Sequence, residues 1–87
     1  MVVIFIINWN GISDTLECLD SLEKTTFQEY QVHLLDNGST DDSWSILQSK
    51  YAHHPKIHCT RSEENLGFTK GNNLLFEQLQ SAATPPA

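Results

Sequence analysis

Basic residues are scarce in this 87-residue sequence: five Lys and Arg stand against eleven Asp and Glu, a net charge of −6. A nucleic-acid binder needs a clustered cationic face, so DNA and RNA are excluded as partners. Long apolar runs are lacking as well. The longest, Val2 to Ile7, falls far short of the roughly 20 residues of a membrane span. With no basic residues before it, it does not read as a secretory signal either. Cysteine is sparse: Cys18 and Cys59 sit far apart and form no Cys-x-x-Cys pair. They read as reduced packing thiols of a cytoplasmic protein rather than a disulfide framework. Familiar nucleotide and hydrolase signatures are absent. There is no Gly-x-Gly-x-x-Gly after the first apolar run, no Gly-x-x-x-x-Gly-Lys-Ser/Thr and no Gly-x-Ser-x-Gly. The adjacent pair His53-His54 precedes Pro55 and reads as a loop, not a metal site. Asn37-Gly38-Ser39 matches a glycosylation acceptor only by accident in a cytoplasmic chain.

What is present is an alternation. Val2 to Ile7 is continuously β-branched and aromatic, as in a strand covered on both faces. Asn10-Gly11 ends it, and Asp14-x-x-Glu17 offers a capping box for a helix carrying Leu16, Leu19 and Leu22. Tyr30 to Leu35 is a second strand. Asp36 to Asp42 is dense in turn formers and N-cap residues. Trp44, Ile46, Leu47 and Tyr51 mark a second helix. Lys56 to Thr60 is a weaker third strand, with His33 and His58 as strand histidines. Asn72 to Leu79 is a third helix, with Leu75, Phe76 and Leu79 on one side. Residues 81–87 read as a tail or linker after a segment of residues 1–80.

The expected fold is α/β: a Rossmann-like, three-layer β-α-β-α-β-α unit with parallel strands and right-handed crossovers. Two strand orders remain open from the pattern alone. The order 3-2-1 leaves the apolar first strand at an edge, where unpaired N–H and C=O groups recruit another strand. The order 2-1-3 would centre it.

Each strand runs into a polar, Gly-bearing segment: Asn8-Trp9-Asn10-Gly11, Asp36-Asn37-Gly38-Ser39-Thr40-Asp41 and Asn65-Leu66-Gly67-Phe68. In a parallel sheet all three lie on one rim, the place where open α/β sheets bind ligands. Helix N-termini aim N–H groups at that rim, which suits phosphate. A nucleotide would fit. The same residue types also make ordinary βα turns.

Taken in order, Ile6-Ile7-Asn8-Trp9-Asn10-Gly11, Leu35-Asp36-Asn37-Gly38-Ser39-Thr40-Asp41, and Glu64-Asn65-Leu66-Gly67-Phe68 with Gly71-Asn72-Asn73 resemble the N-terminal part of a family 2 glycosyltransferase. That family has the GT-A fold, and the likeness is to its rhamnosyltransferase-like members. The resemblance covers Val2 to about Leu79 and implies the order 3-2-1, with a fourth strand beside the first.

The resemblance further implies a site for a nucleoside-diphosphate sugar. Asn8, Trp9 and Asn10 resemble the region beside the base, where an aromatic can stack; Trp9 read on its own could equally be a half-buried core tryptophan. Asp36 and Asn37 resemble the pair that recognises the nucleoside, although Asp36 could instead cap the next helix. Ser39, Thr40 and Asp41 read as caps of the second helix. Asn65 and Gly67 would let the backbone pass close to the diphosphate or sugar. Asn72 or Asn73, at the start of the third helix, would face the donor. Lys70 reads as a surface lysine.

The family's Asp-x-Asp-like motif is missing from this sequence, and Asp41-Asp42 lie in the wrong loop to replace it. The divalent cation, Mg or Mn, is therefore expected in the full-length enzyme and not on this segment. The same holds for the catalytic base that would activate the acceptor hydroxyl. The implied partners are the nucleotide sugar and, in the full-length enzyme, a saccharide or lipid-linked acceptor; the open edge of the first strand further suggests self-association of the segment through that edge. The implied location is the cytoplasm or the cytoplasmic face of a membrane. The segment alone is expected to be inactive. A different class of function, a non-catalytic regulatory or interaction module such as a receiver, would want carboxylates at the ends of the first and third strands. Here those ends are Asn8-Trp9-Asn10 and Thr60-Arg61-Ser62.

Overall fold

The computed structural model describes residues 1–83, with side chains through residue 80. Its elements alternate as β1 (Val2–Asn8), α1 (Ile12–Glu23), β2 (Tyr30–Asn37), α2 (Ser43–Tyr51), β3 (Ile57–Ser62) and α3 (Gly67–Ala83). All strand pairs are parallel, and the sheet order is β1-β2-β3, which is the order 3-2-1 read from its other end. The alternative 2-1-3 is excluded. Each strand extends past its apolar run into the polar rim, so that Asn8, Asp36, Asn37 and Ser62 are themselves ladder residues.

Alternation along β2 splits the core into two layers. Tyr30, Val32 and Leu34 are buried with Leu19 of α1, Leu47 and Tyr51 of α2, and Ile57. Ile4, Ile6, Leu16, Leu22 and Cys59 pack around that cluster. Burying each large apolar side chain stabilises by about 1.5–3 kcal/mol. On the other face α3 lies over β1 and β2. It comes close because Gly71 has no side chain: a Cβ there would stand 3.1 Å from Leu35 and 3.2 Å from Ile7. Leu75, one turn on, is buried on the same helix stripe.

Several local expectations are corrected. No capping box forms at Asp14 and Glu17, because α1 begins earlier, after Gly11, and no side chain caps it. The third helix starts at Gly67 rather than Asn72, which places Asn72 in its second turn. It also runs to Ala83, past the expected start of the tail; residues 84–87 of that tail lie outside the described residues. Phe76 and Ile46, counted on the apolar sides of their helices, are exposed, since the buried stripes follow Gly71–Leu75 and Leu47–Tyr51. Cys18 is exposed and not a packing residue, whereas Cys59 is half-buried.

The helix placement carries a topological consequence. Right-handed crossovers through α1 and α2, on one face, step the sheet from β1 to β3. Helix α3 covers the opposite face, over β2 and β1. Open α/β sheets bind ligands beyond the carboxyl ends of their strands, the end where the three loops of this sheet lie.

Candidate functional site

The register sets the rim. Asn8 is paired with Asp36, and Asn37 with Ser62, so the carboxyl ends of all three strands stand level. Side-chain bonds then stitch the three loops together. The buried Asn8 amide donates to Asp36 Oδ1 at 3.0 Å and accepts from the Thr15 hydroxyl of α1 at 2.6 Å. Ser39 Oγ donates to the same Asp36 Oδ1 and accepts from Asn10 N–H at 3.0 Å. Asn10 takes a left-handed backbone, φ 48°, in which an Asn is among the least strained of residues. From there its Oδ1 accepts from the N–H groups of Thr40 (2.8 Å) and Asp41 (3.3 Å). The β1–α1 and β2–α2 loops are thus joined.

The β3–α3 loop is joined from the other side. Asn37 Nδ2 reaches Asn65 Oδ1 at 3.2 Å and the Gly67 carbonyl at 3.3 Å. Its Oδ1 accepts from Leu66 N–H at 2.8 Å and from Ser62 Oγ at 3.1 Å. Asn65 Oδ1 also accepts from Gly67 N–H at 2.8 Å. Gly38, at φ 73°, lies so near this loop that a Cβ would stand 2.4 Å from the Glu64 carbonyl carbon.

Trp9, Asp36 and Gly67 therefore share one rim. Trp9 is 55% exposed and stands outside the core cluster. Phe68, at the start of α3, is a second exposed aromatic on that rim, 75% exposed. Asp36 is fully buried and its Oδ2 has no hydrogen-bond partner. A buried, unpartnered carboxylate oxygen is costly and calls for a donor. Gly67 has φ 81° and open space where a Cβ would go. Its conformation, rather than a close approach within the chain, requires glycine there, and the open space faces solvent.

Other expected site residues are placed differently. Asn72 donates to the Phe68 carbonyl of its own helix at 3.1 Å, a contact internal to α3. Ser39 and Thr40 do not cap α2: both are engaged with Asn10, and Ser39 also with Asp36. Asp42 is the N-cap and makes no side-chain cap bond; Asp41, one residue before it, accepts from Ser43 N–H at 2.9 Å, and its contact with Ser43 holds its carboxyl below the usual range. Gly38, Ser39 and Gly71 were missed as organisers of the rim. The signal for Gly38 was its position immediately after the strand, where a turn needs positive φ.

Among the described residues no three His, Cys, Asp or Glu side chains come together to hold a metal ion. Asp41 does not fit that role, because its carboxylate is engaged by the first N–H of α2. No helix among the described residues is long and apolar enough to cross a membrane. A groove of about 320 Å³ lies elsewhere, between α2 and β3, lined by Trp44, Leu47, Tyr51 and Ile57 among others and by none of the rim residues.

Comparison with known proteins identifies relatives of this arrangement. The family model for glycosyl transferase family 2 matches residues 3–82. A chondroitin synthase of Escherichia coli is 34% identical over 73 residues, 84% of this chain and 10% of that protein. A bifunctional glycosyltransferase of Dictyostelium discoideum is 32% identical over 68 residues, 77% of this chain and 9% of its own. The chain thus spans about a tenth of the length of these relatives. Among solved structures, a mannosyltransferase from Pyrobaculum calidifontis, in complex with GDP-mannose and Mn²⁺, superposes with a TM-score of 0.77. It is 20% identical, and the match covers 88% of this chain and 24% of that one, a likeness of fold.

Proposed function

Because the chain belongs to glycosyl transferase family 2 and has the parallel α/β sheet of the GT-A fold, we propose that its rim is part of a donor pocket for a nucleoside-diphosphate sugar. The observation that carries this reading is Asp36. Its Oδ2 is buried and lacks a partner, at the end of the central strand of the rim that also carries the exposed Trp9 and the open Gly67 turn. A base N–H or ribose hydroxyl would satisfy that oxygen, and a base could stack on Trp9. Asn65 and Gly67, at the N-terminus of α3, would lie along the diphosphate, where helix dipole and N–H groups favour negative charge.

As part of a longer glycosyltransferase, this segment would hold the donor while a hydroxyl of a saccharide or lipid-linked acceptor displaces the diphosphate at the anomeric carbon. The base that deprotonates that hydroxyl would come from outside this segment. A divalent cation, Mg²⁺ or Mn²⁺, would supply charge neutralisation at the departing diphosphate, and its ligands would likewise come from elsewhere. The mannosyltransferase solved with GDP-mannose and Mn²⁺ supports a donor of this class. On this reading the 87 residues alone bind weakly and transfer nothing, and the parent works in the cytoplasm or at the cytoplasmic face of a membrane. The open side of β1 would take a further strand of the parent, or a second copy when the segment stands alone.

The test is calorimetric titration of the parent protein with UDP and GDP, each with and without Mn²⁺. Binding of one of them is expected. Absence of binding in all four titrations would refute the reading.

A further inference from the structure

Asn37 lies next to Asp36 in sequence, but the two side chains have opposite hydrogen-bond balances. A carboxamide can donate two hydrogen bonds and accept two. Asn37, 2% exposed, has partners for all four: Asn65 Oδ1, the Gly67 carbonyl, Leu66 N–H and Ser62 Oγ. Ser62 Oγ also lies 2.8 Å from the Glu64 carbonyl, so its one hydrogen is shared. Every one of these partners lies at the end of β3, in the loop that follows or at the first residue of α3. Nothing remains on Asn37 for a ligand, and a buried amide gives up satisfied bonds only at the cost of leaving each freed group unpaired away from water.

We infer that Asn37 is a positioning residue, which presets the Asn65–Gly67 turn and the start of α3 against the rim and makes no contact with the nucleoside. This rests on the donor-pocket reading for what the turn would hold, but not for the claim that Asn37 holds it. Gly38 completes the device: the loop packs directly over its Cα, where any Cβ would collide with Glu64 and Asn65 backbone. Strand β2 thus presents Asp36 towards the nucleoside and, one residue later, fixes the turn assigned to the diphosphate. A preset turn spares the ordering cost on binding.

The experiment has two readouts on Asn37→Ala and Asn37→Asp. The first is amide hydrogen exchange of the free chain. Asn37→Ala should speed exchange at Leu66 at least tenfold, while Thr40 and Asp41, held by Asn10, keep their rates. Asn37→Asp retains an acceptor for Leu66 N–H and should restore most of its protection; it also serves should the alanine variant unfold. The second is affinity for uridine and guanosine against UDP and GDP. A positioning role predicts that the variants weaken the diphosphates and leave the free nucleosides unchanged. Wild-type exchange at Leu66 in both variants would overturn the inference, as would equal losses for nucleoside and diphosphate. Should the wild-type chain bind no nucleotide at all, the donor-pocket reading fails, and the exchange rates still decide the role of Asn37.

Discussion

Asn8 and Asp36 face each other across the β1–β2 ladder, and the amide of one donates to Oδ1 of the other at 3.0 Å. That bond, with the one from Ser39, satisfies one carboxylate oxygen and leaves Oδ2 buried and free. It fixes the direction of the carboxylate without using it up.

Replacing Asp36 by Asn should separate stability from binding. The amide can keep its oxygen towards Asn8 and Ser39, so urea unfolding should shift by no more than about 1 kcal/mol. Nucleoside diphosphate binding should fall at least tenfold, because an N–H would then face the ligand's own donor. Asp36→Ala should cost more stability, since Asn8 and Ser39 lose their shared acceptor at about 1–3 kcal/mol for each group left unpaired.

Two glycines with positive φ should respond unequally to alanine. Gly67 has φ 81° and open space, so Gly67→Ala carries only the left-handed backbone cost, roughly 1–2 kcal/mol. Gly38 has φ 73° and would also drive its Cβ to 2.4–2.8 Å from backbone atoms that cannot rotate away. Gly38→Ala should therefore destabilise clearly more in urea unfolding, and it should loosen exchange at Leu66.

The alternation of strands and helices and the common rim were legible in the sequence, because periodicity and turn chemistry report them directly. The strand order was not: the pattern left two orders open, and only the family resemblance pointed to 3-2-1. The division of labour on the rim was not legible. Asn8, Asn10, Asp36 and Asn37 look alike as short polar residues after strands. Only the register reveals that Asn10 and Asn37 are committed to neighbouring loops while Asp36 keeps a free oxygen. The start of α3 was hidden because Gly67 and Gly71 look like loop residues. In the fold, one supplies the positive φ that opens the helix and the other lets it approach the sheet.

The two thiols should differ in reactivity and pH response. Cys18 is exposed, whereas burial and then the Asp36 charge push the Cys59 thiol up to about 11. At pH 8 a disulfide reagent should label Cys18 first, with Cys59 carrying roughly a hundredfold less thiolate than an ordinary cysteine. The raised value also sets a sign. The folded chain holds its Cys59 proton more tightly than the unfolded chain, so this contribution is present below pH 9 and lost as pH rises towards 11. Cys59→Ala should flatten stability across that window.

The outer side of β1 pairs with no strand among the described residues, and Val2 and Val3 are exposed on it. Sedimentation of the 87-residue chain should show association that grows with concentration. Val3→Lys, which places a charge on the edge without entering the core cluster, should reduce it. A strictly monomeric wild type at high concentration would argue against an available edge.

The central claim is that three loops form one nucleotide-binding lip. Its most direct test is backbone amide NMR of the ¹⁵N-labelled chain titrated with UDP and with GDP. With one of them, shifts should appear together at Asn8–Asn10, Asp36–Ser39 and Asn65–Phe68, with the α2–β3 flank unmoved. Shifts confined to a single loop, or none with either nucleotide at saturating concentration, would contradict the account.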